Sequence, residues 1–143
     1  MPPARFNHVG LCVADLERTQ RFYEEVFGFR VVRELQPPDE GSAQLLRLDP
    51  PVGMRAVYLE RDGFVLELLH FADVELEEPR ARVVNEPGLT HLSLGVDELE
   101  PALAAVVDHG GEVLDDTDIG VAVFVRDPGG QLIELLTSWD PPR

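Results

Sequence analysis

The chain contains two copies of one pattern, and this constrains the fold more than any other feature. "FNHVGLCVADL", 6–16, and "LTHLSLGVDEL", 89–99, each carry His at the third position, then alternating small and apolar residues, then Asp and Leu. "GFVLELL", 63–69, and "GQLIELL", 130–136, match in the same way. His91 follows His8 by 83 positions and Glu134 follows Glu67 by 67, so the first half is longer by 16 residues. Most of that excess is expected between its helix and its last strand. A repeat of this length means one supersecondary unit used twice.

The elements inside each half agree. Residues 6–13 alternate and predict a strand. Asp15 is a suitable cap for a helix running to about Phe27, with Gly28 as its stop. Strands are expected at 29–35, 54–60 and 64–70, the last two joined by Arg61-Asp62-Gly63, a hairpin signal. "QPPDEG" predicts a loop, and 42–48 a short extra helix. The second half predicts a strand at 90–96 and a helix ending near His109, with Asp97 or Glu100 as cap. Strands at about 112–115, 120–126 and 131–137 follow, with "DPGG" turning the last pair. The expectation is an α+β fold of two tandem βαβββ modules, 5–71 and 89–139, joined by a linker over 72–88 within one domain, 1–143.

Strand parity then sorts the side chains, because successive residues point to opposite faces. Val9, Leu11 and Val13 share one face of the first strand, and His8, Gly10 and Cys12 the other. In the sister strand Leu92, Leu94 and Val96 oppose His91, Ser93 and Gly95. Leu66 and Leu68 are expected to pack on a helix, which puts Glu67 on the open face. Ile133 and Leu135 do the same for Glu134. An ionised carboxylate inside an apolar strand is costly unless it is paired, hydrogen-bonded or metal-bound. Taken singly, His8 or Glu67 has an ordinary explanation as a hydrogen-bonded or solvent-facing residue. The joint pattern is different: of four His, two occupy matched positions, and so do two Glu. If the halves pair about a pseudo-twofold, two imidazoles and two carboxylates converge, a donor set suited to one divalent transition metal. Nickel, cobalt, manganese, iron and zinc all fit it. His70 falls on the wrong face to join the set. His109 ends a helix, where a cation suits the dipole. Cys12 reads as a buried small hydrophobe.

Charge narrows the partners. Asp plus Glu total 27 against 12 Lys plus Arg, a net charge of −15 that repels phosphate backbones, so no nucleic acid is expected. "DVELEE", 73–78, lacks the spacing of a calcium loop and reads as a solvated connector. No apolar run approaches the ~18 residues of a membrane span, so no membrane partner is expected either. "MPPARFNHVG" has no apolar leader region, and a single cysteine permits no internal disulfide. The expected compartment is the cytoplasm.

The stretches "NHVGLCVADLERTQRFYEEVFGF", "FVLELL", "THLSLGVDEL" and "VFVRDPGGQLIELL" resemble the vicinal oxygen chelate superfamily, which includes glyoxalase I, methylmalonyl-CoA epimerase, extradiol dioxygenases, and fosfomycin- and bleomycin-resistance proteins. The resemblance covers nearly the whole chain. It implies two βαβββ modules forming a cup-shaped half-barrel around one metal, with His8, Glu67, His91 and Glu134 on the ligand positions. That set is most similar to glyoxalase I and the epimerases. The implied activity is a divalent-metal-dependent, glyoxalase-like lyase or isomerase that moves a proton next to a metal-bound carbonyl of a small molecule. In that reading Glu67 is the labile ligand and catalytic base, and Glu134 the structural ligand. Two other activities occur on the same scaffold. One is an Fe(II) extradiol-type dioxygenase using His8, His91 and Glu134; the other is a small-molecule (drug) binding and resistance protein. Sheet edges that need cover, together with the family analogy, point to a homodimer.

Overall fold

A computed structural model describes residues 3–137. The last two positions of the expected second module, 138 and 139, lie outside the described residues, as do the two ends of the expected domain. The chain divides into two compact units, Met1–Gln20 with Gly28–Glu77, and Arg21–Phe27 with Glu78–Arg143. Each holds one open four-stranded mixed sheet.

The first unit is built on β1 (Val9–Cys12), β2 (Arg30–Leu35), β3 (Met54–Arg61) and β4 (Phe64–Phe71) in the order β1-β4-β3-β2. β1 runs parallel to β4, and β3 is antiparallel to both its neighbours. The Asp62-Gly63 turn has positive φ at both residues, 52° and 81°, the geometry that the right-handed strand twist favours in a two-residue hairpin. It pairs Arg61 with Phe64 and thereby fixes every rung below. Val57 and Leu59 stand opposite Leu68 and Leu66, and all four are fully buried. Burial of such side chains is worth roughly 1.5–3 kcal/mol each, so a one-residue slip that turned this face to water is strongly disfavoured. β2 carries a bulge between Val31 and Arg33, which brings Arg33 rather than Val32 opposite Tyr58.

The 16-residue excess lies between β2 and β3, as expected, and contains α2 (Asp39–Leu46). This helix starts three residues earlier than "SAQLLRL" suggested. The reason is a side-chain anchor that local propensity does not show: Asp39 Oδ1 accepts from the amides of Val52 and Gly53 at 2.8 and 2.9 Å.

The second unit repeats the sheet with β5 (Leu92–Gly95), β6 (Glu112–Val113), β7 (Ala122–Arg126) and β8 (Leu132–Leu136), order β5-β8-β7-β6. Val123 and Val125 face Leu135 and Ile133 and are buried, the same apolar quartet as in the first sheet. α3 (Leu99–Asp108) tolerates Pro101 because it falls in the first turn. Its N-cap position is Glu98, not Asp97 or Glu100, and no side chain caps it. A 3₁₀ turn at Asp115–Thr117, not foreseen from the sequence, replaces the end of the expected 112–115 strand.

Helix α1 (Leu16–Phe27) begins where expected: Asp15 Oδ1 accepts from the Arg18 amide at 3.0 Å. Its last turns, 21–27, belong to the second unit. Phe22 and Tyr23 are fully buried, and the Tyr23 hydroxyl donates to Asp127 Oδ2 at 2.8 Å. Asp127 Oδ1 also accepts from the Gly129 and Gln131 amides, so one carboxylate ties the "DPGG" turn to the helix. Burial raises the Asp127 carboxyl above its ordinary 3.8, with these hydrogen bonds pulling the other way.

Candidate metal centre

Each unit brings one histidine against one glutamate. In the first, His8 stands two residues before Gly10, and Gly10 pairs with Glu67 across the parallel β1–β4 rung. That register puts His8 Nε2 3.3 Å from Glu67 Oε1. In the second, His91 precedes β5, Ser93 pairs with Glu134, and His91 Nε2 lies 3.9 Å from Glu134 Oε1. The repeat in sequence is thus a repeat in geometry. Within each unit the described residues hold such a pair and no group of three or more His, Cys, Asp or Glu placed to hold a metal.

The histidines are oriented from behind. His8 Nδ1 donates to Asn7 Oδ1 at 2.5 Å, and His91 Nδ1 is hydrogen-bonded to Thr90 Oγ1 at 2.7 Å. A partner on Nδ1 leaves Nε2 as the coordinating nitrogen, the arrangement that outer hydrogen bonds impose on metal-binding imidazoles. For His8 the consequence is sharp. Nδ1 must carry the proton, because Asn7 Oδ1 only accepts. Nε2 then faces the Glu67 oxygen, and a proton or a cation between the two makes the contact favourable. Two ligands each about 2.1 Å from one ion sit about 3.0–3.4 Å apart at right-angle or tetrahedral geometry, and 3.3 Å falls in that range. The donor chemistry therefore fits a divalent ion. The His91–Glu134 pair is wider by 0.6 Å.

The carboxylates differ in their surroundings. The Glu67 side chain is 8% exposed and that of Glu134 27%. Tyr58 stands directly opposite Glu67 across β3–β4. Its ring also meets the His8 ring edge-on, centroids 5.4 Å apart at 88°. Desolvation first, then the neighbouring Glu67 carboxylate, push the Tyr58 phenol up to about 12, with Arg33 opposing. The phenol therefore remains a donor at neutral pH. In the sister site Phe124 takes the place of Tyr58 opposite Glu134, and it meets His91 edge-on at 5.1 Å. Glu134 accepts a hydrogen bond from its parallel neighbour, where Ser93 Oγ donates to Oε1 at 2.9 Å. Gly10 holds the equivalent rung beside Glu67.

The remaining histidines have structural partners. His70 Nδ1 bonds the Val13 carbonyl at 3.0 Å, and His109 Nδ1 bonds the Ala105 carbonyl at 2.9 Å. Cys12 corrects an expectation: it is exposed, because the face of β1 that carries His8 and Gly10 is the open one. Partial desolvation still raises its thiol above the ordinary value. Tyr58 went unnoticed in the sequence, and Ser93 was placed on the face of His91 without a role. Tyr58 was within reach, since counting four residues back from Asp62 and four forward from Gly63 lands on Tyr58 and Glu67.

The sequence model of the Glyoxalase/Bleomycin resistance protein/Dioxygenase superfamily matches residues 5–135. The chain belongs to that superfamily. Among curated relatives, a lactoylglutathione lyase of Neisseria meningitidis is 33% identical over 92% of this chain and 89% of its own length. A putative lactoylglutathione lyase of Brassica oleracea is 30% identical over 96% of this chain, which spans 46% of that protein, about half its length. Among solved structures, a glyoxalase family protein from Bacillus cereus superposes with a TM-score of 0.79 at 18% identity, covering 96% of this chain and 95% of the other. That likeness shows the fold. No helix among the described residues is long and apolar enough to cross a membrane.

Proposed function

We propose that this superfamily member is a metal-dependent, glyoxalase-like lyase or isomerase acting on a small molecule with an acidic C–H next to a carbonyl. His8, Glu67, His91 and Glu134 hold one divalent transition ion per chain, drawn from nickel, cobalt, manganese, iron or zinc. When bound, the ion supplies Lewis-acid stabilisation of negative charge developing on the carbonyl oxygen. Glu67 takes the proton from the carbon beside the carbonyl, the electrons of the broken C–H bond moving toward that carbonyl, and returns it to the neighbouring carbon. Glu134, already accepting from Ser93, serves as the fixed ligand.

The observation that carries this reading is the repeated pairing of an outward-anchored imidazole with a glutamate, tighter and drier around Glu67. The lactoylglutathione lyase relatives support the reaction class. The same reading takes the working form as a homodimer, since β1 and β2 end one sheet and β5 and β6 the other. Light scattering at micromolar concentration then gives about twice 15.9 kDa; a mass near that of one chain contradicts it. The functional test is metal analysis of untagged protein joined to a substrate screen over hemithioacetals, 2-methyl acyl thioesters and related α-acidic carbonyls. The expected result is one ion per chain and proton exchange with solvent at the carbon beside the carbonyl. Protein that stays empty after incubation with all five metals sinks the proposal.

A further inference from the structure

The bulge in β2 moves one charged side chain. Val31 stands opposite Leu59 and Arg33 opposite Tyr58, so Val32 is the extra residue. In an unbroken ladder Val32 would meet Tyr58, and Arg33 would stand opposite Val57 on the packed face. The bulge instead leaves Val32 45% exposed and brings Arg33 to the open face. A valine left in water gains the fold nothing. Bulges gather beside active sites, where they re-aim a side chain.

The row at the level of Glu67 thus reads Arg33, Tyr58, Glu67, Gly10. The sister row reads Phe124, Glu134, Ser93, and β6 ends one residue short of it, with Val113 opposite Val125. Arg33 is therefore an addition to the first copy. The other arginines of β2 and β3 have carboxylate partners: Arg30 pairs with Glu60 at 3.1 Å, Arg55 with Glu17 at 3.0 Å and Arg61 with Asp62 at 3.3 Å. Among the described residues no carboxylate lies within ion-pair distance of Arg33. A chain of net charge −15 leaves this guanidinium unpaired on the face that carries the His8–Glu67 pair.

We infer that Arg33 determines specificity by taking a carboxylate of the substrate, remote from the reacting carbonyl. This rests on the proposed function and names its substrate class, a carbonyl compound with a carboxylate a few carbons away. Strand spacing puts the Arg33 and Glu67 backbones about 9–10 Å apart, and the arginine side chain covers part of that span. A guanidinium fork matches the two oxygens of a carboxylate. The chain's own negative charge repels a doubly charged phosphate ester more than a monoanion. The adjoining row, Leu35, Ala56, Leu69 and Cys12, gives the intervening carbons a mainly apolar surface.

The test uses straight-chain oxo acids of increasing length, beginning with levulinate, and their methyl esters as uncharged controls. Affinity for nickel-loaded protein is read by calorimetry, and solvent deuterium exchange is read beside the ketone. Wild type is expected to prefer one length of acid over its ester by about 10-fold, the worth of a hydrogen bond to a charged group at an exposed site. Arg33→Gln changes an exposed edge residue, so it folds and keeps its nickel, and its affinity for that acid falls to the level of the ester. Wild-type preference retained in Arg33→Gln overturns the inference and leaves the proposed function standing, as does a wild type that holds nickel and binds acid and ester equally or not at all. A wild type that holds no nickel removes the proposed function. The inference is then read from the Arg33 Nε–H signal by NMR of the bare protein. Movement with glutarate but not with dimethyl glutarate upholds carboxylate binding. No movement, or a larger one with inorganic phosphate, overturns it.

Discussion

The first-unit pair and the second-unit pair are copies that have been finished differently. His8–Glu67 is the closer pair, with a nearly buried carboxylate that stands opposite Tyr58. His91–Glu134 is wider and wetter, with a carboxylate held by a serine at the oxygen that faces the imidazole. The turns that lead into the two glutamate strands diverge as well. Asp62 stands 87% exposed at the first, whereas Asp127 is buried at the second and holds Tyr23 and two amides. The contrast supports the proposed division of roles. An oxygen already accepting from serine suits a ligand that stays put. A carboxylate in drier surroundings, with a glycine rung open beside it, suits one that exchanges a proton.

The largest expected effect treats the pairs alike. His8→Ala and His91→Ala each remove the nitrogen donor of one pair, and each lowers metal content from about one ion per chain to near none by elemental analysis. Retention of full metal by either variant breaks the claim that both pairs serve it.

The glutamates are expected to separate. Glu67→Gln keeps shape and a coordinating oxygen but loses proton affinity, so turnover falls roughly 10²–10⁴-fold while metal content falls modestly. Glu134→Gln loses metal more than its sister does. Equal metal loss and equal turnover loss in the two variants erases the division of roles.

The turns give the next effect, on stability. Asp127→Ala leaves the buried Tyr23 hydroxyl and the Gly129 and Gln131 amides without their acceptor, at a cost of about 3 kcal/mol in urea unfolding. Asp62→Asn, exposed and in a conformation that Asn also adopts, changes stability by less than about 0.5 kcal/mol. Near-equal effects contradict the asymmetry of the turns.

The smallest concerns the serine of the second pair. Ser93→Ala lowers metal affinity about 10-fold by freeing Glu134, read by calorimetry. Unchanged affinity in that variant shows that the serine does not hold the carboxylate for the metal.

Much of this was legible before any coordinates. Alternation placed His8, Glu67, His91 and Glu134 on the faces opposite Leu66, Leu68, Ile133 and Leu135, because a strand's period of two leaves no other choice once those four are buried; that Glu67 itself is buried was not legible. The Asp62-Gly63 turn was equally plain. What escaped depends on pairing between distant strands. The Ser93–Glu134 rung is a parallel contact across 41 residues, with no turn from which to count. The bulge that brings Arg33 opposite Tyr58 has no local signature in "RVVREL". The exposure of Cys12 follows from which face of β1 stays uncovered, a tertiary fact.

The central claim is that Glu67 moves the proton and Glu134 does not. Solvent deuterium exchange at the carbon beside the carbonyl tests it most directly, with wild type, Glu67→Gln and Glu134→Gln compared at equal metal occupancy. The account predicts exchange in wild type, exchange in Glu134→Gln once metal is restored, and loss of roughly 10²-fold or more in Glu67→Gln. Exchange in Glu67→Gln as fast as in wild type contradicts it. Full metal retention in that variant would then leave Glu67 as a polar wall and favour the three-ligand site of His8, His91 and Glu134.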